Sequence, residues 1–171
     1  MSAPLPAAGR RAPVSIQAPL LDRLMDEEPD RAVDRALTGP EALVQLRRAV
    51  HRDLEALLNA RRPWRSVPEK LAALRLSPLA YGMPDFTAGA YNDRQQREVL
   101  RSEIEETIRR FEPRLARVRV RLSDDGNLLR STLRLSIDAL LLTHPAPEPI
   151  VFDTTVDTTT ADVVLNPVYG Y

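Results

Sequence analysis

The run Phe111-Glu112-Pro113-Arg114-Leu115-Ala116-Arg117-Val118-Arg119-Val120-Arg121-Leu122 is where the chain changes its hydrophobic period. Before it, Leu100, Ile104, Ile108 and Phe111 recur at spacings of four and three, with Arg and Glu filling the other positions. That is the signature of an amphipathic helix, capped at its start by Asn92 or Asp93. Pro113 ends it, because the residue before a proline is pushed out of the helical region. After the proline the period becomes two: Val118, Val120 and Leu122 alternate with Arg117, Arg119 and Arg121, which predicts a strand with one buried and one charged face. Ser123-Asp124-Asp125-Gly126-Asn127 is turn chemistry. Beyond it Leu129, Leu133, Leu135, Ile137, Ala139 and Leu141 alternate with polar residues, so the two strands form a hairpin.

Working outward from there, a third strand is expected over 150–156, after the proline-rich connection 144–149. Upstream, Thr38-Gly39-Pro40-Glu41 has capping-box spacing. It opens a helix whose stripe is Leu43, Leu46, Val50, Leu54 and Leu57, stopped near Asn59 by Arg61-Arg62-Pro63. A short amphipathic helix is predicted over 16–26, with Leu20, Leu21, Leu24 and Met25 on one side. Pro68, Pro78, Gly82, Pro84 and Gly89 break the chain between 63 and 93, where loops and one short helix near 69–74 are expected. Trp64, Tyr81, Phe86 and Tyr91 lie there, and packing onto the core is the ordinary use of such rings. Helices first and strands later give the α+β class, with helices on one face of a small, mainly antiparallel sheet. The expected division is a disordered tail over 1–15, one α+β domain over 16–156 and an extended C-terminal segment over 157–171.

Composition excludes several kinds of function. The 171 residues contain no cysteine and two histidines, so disulfide scaffolds and thiolate or histidine-rich metal sites are out. With 24 basic and 24 acidic residues, no global field draws the chain to nucleic acid or a membrane. The longest apolar run, Ala139 to Leu142, is far short of the ~20 residues of a membrane helix, and the first fifteen residues lack a signal-peptide core. A cytoplasmic protein is expected.

The densest acidic cluster, Glu103, Glu105, Glu106 and Glu112, is interleaved with Arg101, Arg109 and Arg110 at helical neighbour spacings. That pattern describes a solvated, mutually paired helix face, whereas a general acid needs an apolar pocket that raises its pKa. His51, with Asp53 nearby, sits mid-helix, His144 lies in a proline-rich loop, and neither a nucleophile elbow nor a glycine-rich phosphate loop is present. No catalytic residue, metal ligand or cofactor is assigned. Arg114, Arg117, Arg119, Arg121, Arg130 and Arg134 make the hairpin locally basic. Without interleaved rings it lacks a base-stacking platform, and an acidic protein partner suits it better than nucleic acid. At the junction itself, Glu112 and Arg114 are two apart in extended chain and project to one side. They either pair with each other at the helix end or present themselves to a partner.

The same junction, Glu112-Pro113-Arg114, resembles the E-P-R signature of the gpW/gp25-like baseplate wedge proteins, and more closely their type VI secretion branch. Leu20-Leu21-Asp22-Arg23-Leu24, Asp53-Leu54-Glu55-Ala56-Leu57-Leu58-Asn59-Ala60-Arg61 and Ser77-Pro78-Leu79-Ala80-Tyr81-Gly82-Met83-Pro84-Asp85-Phe86 agree with that family in order. The resemblance covers about 20–156. It implies a gp25-like fold and a structural, non-enzymatic role in the wedge of a contractile injection machine docked at the inner membrane. The implied partners are TssF-, TssG- and TssK-type wedge subunits and TssB/TssC-type sheath subunits, with no nucleic acid, small-molecule ligand or membrane insertion. Glu112, Pro113 and Arg114 would contact the wedge's helical core bundle, and the sheet would receive strands from the first sheath ring. A phage-like or pyocin-type tail is the neighbouring alternative, and a peptidoglycan-cleaving muramidase the alternative from another class.

Overall fold

The computed structural model describes residues 20–25, 38–62, 70–84, 93–123, 132–144 and 146–168. The architecture is α+β. Three helices, α1 (Leu20–Leu24), α2 (Gly39–Asn59) and α3 (Arg94–Phe111), precede four strands, β1 (Leu115–Ser123), β2 (Thr132–Leu141), β3 (Glu148–Asp157) and β4 (Val163–Val168). Every neighbouring pair of strands is antiparallel and the spatial order is the chain order, so the sheet is a meander.

Helix α2 starts where the capping pattern places it. The Glu41 carboxylate reaches back to accept from the Thr38 N–H at 2.9 Å, and Pro40 occupies the first turn, where its missing N–H is harmless. Its stripe is buried as the spacing predicts, with Leu46, Val50, Leu54 and Leu57 in the core and Leu43 partly buried against it. Asp93 caps α3 by accepting from the Gln95 N–H at 3.1 Å, and Leu100, Ile104 and Ile108 face inward. These two stripes close over the inner face of the sheet, where Val118, Val120, Ile137, Leu141, Phe152 and Val156 are buried. Each such apolar side chain removed from water contributes roughly 1.5–3 kcal/mol.

Several features differ from the sequence reading or extend it. The hairpin alternation holds at Val118 and Val120, but Leu115 and Val118, three apart, are both buried. A bulge between Ala116 and Arg119 explains this, with Arg117 in the left-handed region at φ 51°. One extra residue is absorbed there and the inward face is kept on both sides. The helix expected near 69–74 is instead two 3-10 turns, Ala72–Leu76 and Pro78–Ala80. Residues 163–168, read as part of an extended C-terminal segment, are extended and form the fourth strand, with Ala161, Val163 and Leu165 buried. The short N-terminal helix is described only over Leu20–Leu24, and Leu20, Leu21, Leu24 and Met25 are exposed. Tyr81 meets Phe111 edge-on, ring centroids 5.3 Å apart. Trp64, Phe86, Tyr91, Arg130 and the tail over 1–15 lie outside the described residues.

Gly82 closes the route back from the 3-10 turns to the end of α2. Its φ is 96°, and a Cβ there would lie 2.4 Å from the Ala60 carbonyl oxygen. The close approach lets the Met83 N–H donate to Ala60 O and the Arg62 N–H donate to Met83 O, both at 2.8 Å. Only glycine adopts that conformation without strain and leaves that gap.

Candidate partner interface at the helix–strand junction

Pro113 acts as expected. Glu112 is the C-cap of α3 with ψ 78°, no longer helical, while its N–H still donates to Ile108 O at 2.9 Å. The turn closes when the Leu115 N–H donates to Glu112 O at 3.1 Å, and the Leu142 N–H donates to Arg114 O at 2.8 Å. Helix end and sheet therefore hold the junction from both sides.

That backbone turns the Glu112 carboxylate inward, where the residue is only 3% exposed. Arg114 satisfies it. Oε1 accepts from the Arg114 backbone N–H at 3.2 Å and from Nε at 2.6 Å, while Oε2 accepts from Nη2. The same Nη2 donates to Asp53 Oδ2 on α2 at 2.7 Å. Asp53 Oδ1 in turn accepts from Arg52 Nε at 3.0 Å, and Arg52 Nη1 reaches Asp22 Oδ1 on α1 at 2.5 Å. Three carboxylates and two guanidiniums thus alternate across α1, α2 and the junction. Hydrogen bonds from Glu112 and then Asp53 outweigh desolvation and push the Arg114 guanidinium upward; Asp22 and Asp53 do the same for Arg52. Both stay charged at every accessible pH. The Tyr81 hydroxyl is also pushed up, by burial first and then by the Asp53 and Glu112 charges.

Glu112, Pro113 and Arg114 are therefore brought together, and the two charged side chains pair within the chain. Glu112 is buried behind Arg114, while Arg114 keeps about a quarter of its side chain in contact with solvent. Asp53, Arg52 and Asp22 complete the cluster, with the Tyr81 ring beside it against Phe111, and sequence reasoning did not assign them to the site. The available signal was the set of motifs itself. Asp53 opens the second motif and bonds to Arg114, Asp22 in Leu20–Leu24 joins it through Arg52, and the Tyr81 ring of the third motif packs on Phe111 beside the junction.

The other candidates are engaged elsewhere. Glu105 lies between Arg101 at 2.8 Å and Arg109 at 2.6 Å, Glu106 pairs with Arg110 at 2.7 Å, and Glu103 meets Arg62 at 3.1 Å. His51 Nε2 donates to Leu165 O at 3.0 Å, and His144 is exposed. On the outer face of the sheet Arg117, Arg119 and Arg121 are exposed, with Arg121 paired to Asp138 at 2.9 Å. Among the described residues no group of three or more His, Asp or Glu is placed to hold a metal ion, and no helix is long and apolar enough to cross a membrane.

A meander sheet roofed by two helices, with a braced arginine at the helix–strand turn, defines a gp25-like α+β protein. Residues 44–146, more than half of the chain, match the family of the baseplate wedge protein gp25, and the chain belongs to that family. Its role is accordingly that of a structural baseplate component. No curated protein and no solved structure matches the chain.

Proposed function

We propose that the chain is the TssE-type wedge subunit of a type VI secretion baseplate, a non-enzymatic adaptor working in the cytoplasm with the assembly docked at the inner membrane. The observation that carries this reading is the bracing of Arg114 by Glu112 of its own motif and by Asp53 of a second, which Arg52 links to Asp22 of a third. An arginine fixed by two carboxylates loses little rotamer entropy when a second surface arrives, so its remaining donors suit a partner contact. TssF- and TssG-type subunits are the partners for that contact, with TssK-type subunits in the same baseplate. Glu112 acts from behind, by orienting Arg114. The antiparallel sheet suits strand addition by TssB/TssC-type sheath subunits, which is β-augmentation. A catalytic carboxylate is disfavoured because Glu112 is buried under three donors of Arg114.

The test is co-purification with the TssF- and TssG-type subunits. The unmodified chain co-purifies, and the double variant Glu112→Ala/Arg114→Ala stays folded and soluble but loses the wedge subunits and supports no sheath in cells. Normal sheath assembly by that double variant would sink the reading.

A further inference from the structure

Surface helices ordinarily turn their apolar stripe to the core and their charges to water. Helix α1 does the reverse. Its carboxylate, Asp22, turns to the protein and accepts from Arg52 of α2 at 2.5 Å. Leu20, Leu21, Leu24 and Met25, on the side away from it, are between 54% and 74% exposed. None of the four belongs to the hydrophobic core, which is closed without them. Five residues are too few to hold a helix in water by themselves, and a partly exposed ion pair such as Asp22–Arg52 adds little. A continuous apolar face of this kind, unlike a scattered surface leucine, marks an interaction site.

The surroundings of that face define its occupant. Asp22, Arg52, Asp53 and Arg114 are bonded in series, so α1 and the helix–strand junction stand side by side. A standard interface covers about 800 Å² per partner, a patch roughly 30 Å across, and both features fall within one such footprint. Glu112 and Asp53 engage Nε and Nη2 of Arg114, which leaves Nη1 for a partner. Two carboxylates already surround this guanidinium, so a neutral carbonyl suits Nη1 better than a third carboxylate would. The linked charges alternate in sign, and α1 carries one basic residue, Arg23. Helices that lie on anionic bilayers are longer and rich in Lys and Arg on their polar face, so a protein surface fits this face better than a membrane does.

We propose that the outward apolar face of α1 is a second docking element for the wedge subunit that meets Arg114. It sets Leu20 and Leu24 into an apolar groove of that subunit, beside a carbonyl that accepts from Arg114 Nη1. The identity of the partner rests on the baseplate reading; the docking role of α1 does not.

The test measures binding of the full chain to the TssF/TssG-type complex, for the parent and for Leu20→Gln/Leu24→Gln. Glutamine keeps a helix propensity close to that of leucine. Both positions are exposed, so the denaturation midpoint of the free chain is expected to stay unchanged. The dissociation constant is expected to rise about tenfold or more, as for anchors lost from an interface. Equal affinity of variant and parent overturns the docking role and leaves the baseplate reading standing. A parent that binds no wedge subunit removes this occupant and counts against the baseplate reading itself. A lowered midpoint in the variant shows that α1 packs on its own chain, and overturns the proposal. Two measurements without wedge subunits decide between occupants. Self-association of the parent in sedimentation, lost in the variant, assigns the face to a second copy. Flotation of the parent with phosphatidylcholine and phosphatidylglycerol vesicles, lost in the variant, assigns it to a bilayer. Either result overturns the wedge subunit as occupant. Affinity is expected to change little with salt, because an apolar groove and a neutral acceptor are not screened; a steep fall overturns the carbonyl.

Discussion

Glu112 and Glu106 are six residues apart in the same arginine-rich segment, and their surroundings differ completely. Glu106 pairs with Arg110 one helical turn on, at an exposed position. Helical spacing alone makes that contact, and such i,i+4 pairs contribute about 0.3–0.5 kcal/mol. Glu112 sits after the last helical turn, in the conformation its following proline imposes. It is buried, it takes three donors from Arg114, and Arg114 reaches across to Asp53 some sixty positions earlier. The same two residue types give a solvated face in one place and a braced, long-range cluster in the other. Backbone conformation and burial decide which.

The sharpest way to break this comparison is to remove each carboxylate in turn. Glu112→Ala leaves the half-buried Arg114 without its main partner. Chemical denaturation should show a loss of about 2–4 kcal/mol, a little below the usual cost of breaking a fully buried pair because Arg114 is partly hydrated. Glu106→Ala should stay within about 0.5 kcal/mol of the parent. Equal losses would mean that the junction is no more than another surface pair.

A smaller effect is expected at Asp53. Asp53→Asn keeps an acceptor for Arg114 but removes the charge, so a loss of about 0.5–1.5 kcal/mol is expected in the same denaturation assay. Adding Arg114→Ala should then cost less than it does in the parent, the coupling expected of residues in one network. Strict additivity of the two changes would show that Asp53 does not hold Arg114.

The smallest effect is a titration. Tyr81 is held above its ordinary value of 10.0 by burial and by the Asp53 and Glu112 charges. Its neutral form is the one favoured in the fold, so the stability it contributes is present below about pH 10 and lost as pH rises through the folded value. Absorbance titration should place this phenol above those of unfolded chain, and Asp53→Asn should bring it down. A Tyr81 that titrates with the unfolded tyrosines would separate it from the cluster.

Much of the fold was legible because local rules and tertiary packing agree. The α2 cap at Thr38 and Glu41, the α2 and α3 stripes and the inward alternation on β1 and β2 each follow from a period or a spacing. The bulge at Arg117 carried no local signal, since alternation in sequence continues through it and only the buried Leu115 reveals the extra residue. The strand over 163–168 was hidden for a similar reason: its run is short, it contains a proline, and its stability comes from β3 and Asn59. The four motifs named the segments of the site, but not that they meet.

By itself, the sequence determined the α+β order, the extent of α2 and α3, the absence of thiolate chemistry and the place where Pro113 expels Glu112 from the helix. Those are properties of neighbours within about a turn or a strand pair, which spacing and conformational preference fix directly. Only the tertiary structure decided that Glu112 is buried, that Asp53 shares Arg114, and that Asn59 on α2 bonds to Val163 on β4. Each of these depends on residues distant in the chain arriving within hydrogen-bond reach, and no local preference encodes that distance.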